Sequence, residues 1–180
     1  RLAGLICWVV AWVFTYLSAR VLFGEWPARL GLGIVACFVS LTTAIAFVHF
    51  STEQLSMVLL MVGVFLFVKA VYEKRGQPVR EWYVLLGIFV LSAVPFAKPQ
   101  GGAIAVGLAL FTLGGLVWRY PTLRSPYFIG RCAMAGVVLP MAMFVWVFSQ
   151  PSGWDCFYNQ FICWNLMYTD SINVGGPATG

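Results

Sequence analysis

Lys98-Pro99-Gln100-Gly101-Gly102 is the stretch of this sequence best suited to chemistry on an anion. The lysine closes an apolar run, so its ammonium stands where hydrocarbon gives way to polar surroundings. Pro99 disfavours helical backbone at the residue before it. A Gly-Gly turn behind it would free backbone N–H groups, and with the ammonium these could hold a phosphate. The plainer reading is a lysine snorkelling from a helix end. A second stretch, His49-Phe50-Ser51-Thr52-Glu53-Gln54, reads as a helix start. Ser51 caps the first turn, Gln54 reaches back to it, and Phe50 and Leu55 close the entry as a hydrophobic staple. Glu53 then sits where the helix dipole favours negative charge. It is either part of a well-capped end or a carboxylate facing a site. His49, the only histidine, is either an interfacial hydrogen-bonding group or a catalytic one. Asp155, after Gly153-Trp154, is the remaining acidic candidate.

Other chemistries find no support. The sequence has no GxxxxGKS/T loop, HExxH, CxxC or GxSxG, so the signatures of a nucleotide motor, a zinc hydrolase and a serine hydrolase are missing. One histidine cannot build a histidine-rich metal site, and no metal or cofactor is expected. Cys7, Cys37 and Cys132 fall inside apolar runs and read as small apolar side chains. Cys156 and Cys163, if helical, stand about 10 Å apart along the axis, too far for a bridge.

These candidates are set in a very apolar chain. Of 180 residues, 61% are hydrophobic and 9% charged, with a mean hydropathy of +0.88; soluble domains carry about 25% charged residues. Several runs reach the roughly 17–25 residues that cross a bilayer as a helix. The expected fold is all-α, a polytopic transmembrane bundle of about six spans. They run Leu2–Ala19, Leu30–Val48, Leu55–Tyr72, Trp82–Ala97, Ala103–Trp118 and Cys132–Phe148. A connector at Phe23–Arg29, a breaker cluster at Glu73–Pro78 and a basic loop at Arg119–Arg131 separate them. Residues 1–148 thus form a membrane domain and 149–180 an aromatic, polar segment too broken to cross again. No internal repeat is visible. Arg1 in place of a methionine and the Gly-Gly-Pro-Ala-Thr-Gly end read as the ends of an internal fragment.

Lysine and arginine orient the spans, because cytoplasmic loops keep the positive charge. Arg20, Arg29, Lys69, Lys74, Arg75, Arg80, Arg119, Arg124 and Arg131 fall at one set of ends, and only Arg1 and Lys98 at the other. This dispersal through loops explains the net charge of +5 better than a nucleic-acid patch does. The turns at 49–54 and 98–102 and the segment 149–180 are then exoplasmic. His49, Glu53, Gln54, Lys98, Gln100, Asp155, Asn159, Asn165, Tyr168 and Asp170 gather on that face. Charges close to hydrocarbon are expensive and often functional.

At this point the residues resemble a family. The order of elements is similar to the middle of a GT-C superfamily polytopic glycosyltransferase, in the branch of protein mannosyltransferases and lipid A aminoarabinose transferases (glycosyltransferase family 39-like). Arg1-Leu2 with Ala19-Arg20-Val21-Leu22-Phe23-Gly24 resembles its "RL…ARxLFG" pattern. Ser51-Thr52-Glu53-Gln54-Leu55 leading to Phe67-Val68-Lys69-Ala70 resembles its "S-x-E/D-x-L…LFLxRA" helix. Ala93 to Gly101, containing Phe96-Ala97-Lys98-Pro99, resembles "G-x-x-x-L-T-K-P/G", and Gly153-Trp154-Asp155 with Asn165-Leu166-Met167-Tyr168 resembles "G-x-x-D/E-D…N-x-x-Y". Pro95 stands where a small residue is usual, and the double acid near Asp155 is reduced to one.

The resemblance implies an enzyme that moves a sugar from a polyprenyl-phosphate donor to a glycan, lipid or protein acceptor. The expected location is a multi-pass position in a bacterial inner (cell) membrane, with the active face exoplasmic. It implies a catalytic base in an acidic loop upstream of Arg1, with Glu53, His49 and Asp155 as weaker candidates. Lys98 is the expected donor-phosphate ligand and Glu53 a positioning group. Two rivals remain. A transporter would carry ionisable groups at the bilayer midplane and paired broken helices, and the spans lack interior acids. A non-enzymatic membrane scaffold fits the composition equally well.

Overall fold

The computed structural model describes residues 2–41, 52–72 and 79–163. The described residues are helical apart from short connections. Helix α1 (Leu2–Phe23) turns at Gly24 into α2 (Glu25–Leu41). Then come α3 (Thr52–Tyr72), α4 (Glu81–Leu91), the single turn α5 (Val94–Ala97) and α6 (Pro99–Arg119). A 3₁₀ turn (Pro121–Arg124) leads to α7 (Pro126–Phe148), α8 (Gly153–Phe157) and a π-helical turn (Tyr158–Cys163). The chain is an all-α, polytopic membrane-spanning helical protein. Among the described residues α1, α3, α6 and α7 are long and apolar enough to cross a bilayer. α2, described as far as Leu41, and the interrupted α4–α5 stretch Glu81–Ala97 fall short of that length among the described residues, and residues 42–48 of the second expected span lie outside them. The chain divides within α7 into two compact units, Arg1–Leu139 and Pro140–Gly180. Pro140 marks the boundary; lacking an N–H, it cannot bond to the carbonyl of Gly136.

In the first unit α3 is central, packed against α1 on one side and α4 on the other, with α5 and α6 also touching it. Its core joins Leu66, Phe67 and Ala70 of α3 to Val84, Ile88 and Leu91 of α4. Two glycines fix the α3–α4 approach. A Cβ on Gly63 would lie 2.6 Å from Leu91 Cδ2, and one on Gly87 would lie 2.7 Å from Phe67 Cε1. Each helix therefore seats a large side chain of the other over a bare backbone, the close approach that membrane helices use in place of a hydrophobic driving force. Across the other face Phe14 of α1 meets Phe65, ring centroids 5.4 Å apart. Polar groups within the helices are satisfied locally. The hydroxyls of Thr15 and Ser18 donate to the carbonyls of Ala11 and Phe14, each at 2.8 Å. Among the described residues no buried side-chain N or O lacks a partner, as a nonaqueous surround requires.

Three connections differ from the sequence expectation. The connector at Phe23–Arg29 contracts to Gly24 alone, whose φ of +91° suits glycine. Glu25, Trp26, Pro27 and Arg29 are already helical, because a proline in the first turn forfeits no helical bond. The Arg29 guanidinium also reaches Glu25 one turn back at 2.5 Å. The basic stretch Arg119–Arg131 is not an open loop. Pro121–Arg124 winds as 3₁₀, and Ser125 starts α7 by accepting the Tyr127 N–H at 3.3 Å. The fourth span, expected to be continuous over Trp82–Ala97, breaks after Leu91. Pro95 has no N–H to bond the carbonyl of Leu91; Ser92 keeps the last helical bond, to Ile88 at 2.9 Å, Ala93 tightens onto Val90 at 3.1 Å, and the helix restarts as α5.

The second unit turns a corner after α7. Ser152 has a φ of 60°, and the Gly153 N–H donates to the Gln150 carbonyl at 3.0 Å. A Cβ on Gly153 would stand 1.8 Å from the Val147 carbonyl oxygen, so the corner admits only glycine. Behind it Trp154 stacks on Phe148 with centroids 5.5 Å apart, and Phe157 meets Phe144 edge-on at 5.7 Å.

Candidate ion-pair site at the α3 and α6 helix starts

Lys98 owes its position to two prolines. Pro95 ends the run of α4, and Pro99, the first residue of α6, forces Lys98 out of the helical region. Lys98 is accordingly extended, with φ −153° and ψ 115°, between α5 and α6. Its N–H donates to the Val94 carbonyl at 2.9 Å, and its carbonyl accepts the Gly101 N–H at 3.0 Å. The expected Gly101-Gly102 turn is not formed. Both glycines are buried in the first turn of α6. Their role here is close packing: a Cβ on Gly101 would come 3.0 Å from Val94 Cγ1, and one on Gly102 would come 3.1 Å from Pro95 Cγ. Bare backbone lets the start of α6 fold down onto α5.

The start of α3 stands beside it. Glu53 lies in the first helical turn, and Ser56, buried, donates its hydroxyl to the Glu53 carbonyl at 2.9 Å. Gln54 is buried next to them. Ser56 Cβ lies 3.8 Å from the place a Gly101 Cβ would take, so the first turns of α3 and α6 touch where α6 has no side chain. This brings Lys98 Nζ into an ion pair with Glu53 Oε1. The ammonium is the more covered partner, 32% exposed against 69% for the carboxylate. Two helix N-termini and an ammonium thus converge on one carboxylate. Both helix ends carry partial positive charge, so the local balance favours a further anion.

The remaining predicted residues are placed differently. Gln100 is exposed on the first turn of α6. Asp155 and Asn159 are exposed in the second unit, Asp155 in the first turn of α8. His49, with the capping residue Ser51, lies outside the described residues, as do Asn165, Tyr168 and Asp170. The pairing of Glu53 with Lys98 across 45 residues could not be read from spacing. Sequence reasoning also missed Glu81, which pairs with Arg131 at 2.9 Å and ties α4 to α7. Among the described residues no three of His, Cys, Asp and Glu stand close enough to hold a metal ion. Cys7, Cys37, Cys132 and Cys163 are free thiols.

The basic residues collect at the other end of α3. Lys69 Nζ lies 5.3 Å from the centre of the Tyr83 ring, and the Arg80 guanidinium 6.0 Å from the same ring. Sixteen residues separate Glu53 from Lys69 along α3, about 24 Å at 1.5 Å per residue. The first unit therefore has two different ends: one where Lys98 is paired with Glu53, and one where the basic residues gather.

Compared with known proteins, the chain matches no family model, no curated protein and no solved structure.

Proposed function

We propose that this chain is the membrane domain of a glycosyltransferase that takes a sugar from a polyprenyl-phosphate donor and passes it to an acceptor on the exoplasmic face. The observation that carries the reading is the Lys98–Glu53 pair at the converging starts of α3 and α6. In this proposal all six apolar segments span, α2 and α4–α5 included. The basic end is cytoplasmic by the positive-inside rule, and the stretch 149–180 is exoplasmic. Lys98 is the donor-phosphate ligand. When the acceptor hydroxyl attacks the anomeric carbon, the bond from that carbon to the phosphate oxygen breaks and the leaving phosphate gains negative charge. A fixed ammonium beside two helix N-termini stabilises that developing charge. Glu53 holds the ammonium in place before the donor arrives. A carboxylate already engaged by an ammonium is poorly suited to take the acceptor's proton, so the base is a different group, in the upstream acidic loop that the family resemblance implies.

The test is donor binding and sugar release by the full-length protein in proteoliposomes, using a labelled polyprenyl-phosphate sugar. Lys98→Ala removes a charge-assisted contact to phosphate, so donor affinity falls about tenfold or more while the protein remains folded. Glu53→Gln removes a competitor for the ammonium and also its anchor, so turnover falls while donor affinity is kept or improved. Wild-type protein that neither binds nor turns over any donor in a panel of sugars would overturn the transferase reading and leave a membrane scaffold in its place.

A further inference from the structure

A cleft of about 350 Å³ runs between the C-terminal halves of α3 and α6, at the basic end of the first unit. Phe67, Val71, Phe111 and Leu116 give it apolar walls, Gly115 leaves its α6 side open, and Arg119 stands at its mouth. From Phe111 to Arg119 the α6 wall rises about 12 Å. The cleft opens on the outer surface of the helices, where Phe111 and Trp118 are 82% and 84% exposed. Among the described residues no carboxylate neutralises the charge at the mouth. The last carbonyls of a helix repel an anion, but here Arg124 occupies them, donating to Val117 and Trp118 at 3.1 and 3.3 Å. Arg119 is exposed, stacks on Tyr120 with its guanidinium carbon 5.9 Å from the ring centre, and meets no carboxylate among the described residues.

We infer that this cleft is a binding site for an anionic phospholipid, with an acyl chain lying along the apolar walls and the phosphodiester on Arg119. The occupant must carry a long apolar chain and a negative head together, and it must approach from the bilayer side. A soluble anion would leave the apolar walls uncovered. A zwitterionic lipid would bring an ammonium against two guanidinium groups. A second copy of this chain offers no ready counter-charge from the described acids of this end, since Glu25 and Glu81 are already paired with arginines. Basic clefts between membrane helices are a recurrent form of anionic headgroup site, and guanidinium suits phosphate geometry.

The experiment is native mass spectrometry of the detergent-purified full chain, titrated with phosphatidylglycerol and with phosphatidylcholine of the same acyl chains. Wild-type protein is expected to retain phosphatidylglycerol several-fold more strongly. Arg119→Ala lowers that retention about fivefold, to the phosphatidylcholine level, while Arg119→Lys keeps most of the preference. Gly115→Leu fills the cleft and weakens both lipids; an added Cβ there meets no heavy atom within 4 Å, so the side chain starts out into open space. Equal retention of the two lipids by wild type, or a preference that survives Arg119→Ala, overturns the assignment. So does a dimer that Gly115→Leu abolishes with lipid retention unchanged, which would give the cleft to a second copy.

Discussion

A double-mutant cycle on Lys98 and Glu53 tests the geometry of the candidate site independently of any substrate. The variants are Glu53→Gln, Lys98→Met and the two combined; methionine keeps much of the apolar stem. Two unit charges 4 Å apart attract by about 1 kcal/mol in water and about 4 kcal/mol at an effective dielectric of 20. Glu53 is 69% exposed, which pulls the pair toward the watery limit. Exposed pairs usually measure about 0.2–1 kcal/mol. Lys98 is only 32% exposed, so we expect the top of that range, about 1 kcal/mol. The single variants should differ. Losing Glu53 leaves a half-covered ammonium without its partner, whereas losing Lys98 leaves a carboxylate that water readily solvates. Glu53→Gln is therefore the more damaging, and the double variant is no worse than Glu53→Gln alone. Equilibrium unfolding in mixed detergent, followed by tryptophan fluorescence, reads the coupling, which should shrink at high salt. Additivity of the two single effects to within about 0.3 kcal/mol would refute the pairing and with it the convergence of the α3 and α6 starts.

Two further outcomes follow from the glycine contacts. Gly87→Ala drives a methyl into the Phe67 ring, which is 4% exposed and cannot swing aside; overpacking of this kind costs about 1–3 kcal/mol. The same unfolding assay should show most of the loss restored by adding Phe67→Leu. Gly153→Ala meets backbone rather than side chain, the Val147 carbonyl. It should open the corner between α7 and α8 and unstack Trp154 from Phe148, seen as loss of near-ultraviolet circular dichroism, with no compensating side-chain change able to rescue it.

The membrane character and four of the spans were legible in the sequence because length and hydropathy suffice to mark them. The extended backbone at Lys98 was legible too, since Pro99 acts on its immediate neighbour. Beyond nearest neighbours the sequence was less informative. Pro95 was visible, but whether a proline bends a span or restarts it depends on the turn before it, and here the Ala93 N–H tightens onto Val90, three residues back. Gly101 and Gly102 read as a turn because glycine permits turns and close packing alike. Only the approach of Val94 and Pro95 selects packing. Ser125-Pro126 was a missed helix-start signal inside what looked like a charged loop. The pairs Glu53–Lys98 and Glu81–Arg131 each join residues 45 or more positions apart, and no local rule reaches that far.

In the proposed six-span arrangement the α4–α5 stretch offers a short path through the bilayer. Glu81–Ala97 is 17 residues, about 26 Å if wholly helical, against a hydrocarbon core of about 30 Å. Its partners α3 and α6, at 21 residues each, reach about 32 Å. A spanning segment this short would require the lipid beside it to thin or its charged end to be drawn inward. The ammonium of Lys98 is the group at that end. In that arrangement membrane thickness would become a variable of the proposed site: thin bilayers would leave the Lys98–Glu53 pair wet and loosely coupled, and thick ones would press it toward hydrocarbon, where the pair would bind more tightly and yield less readily to an incoming anion.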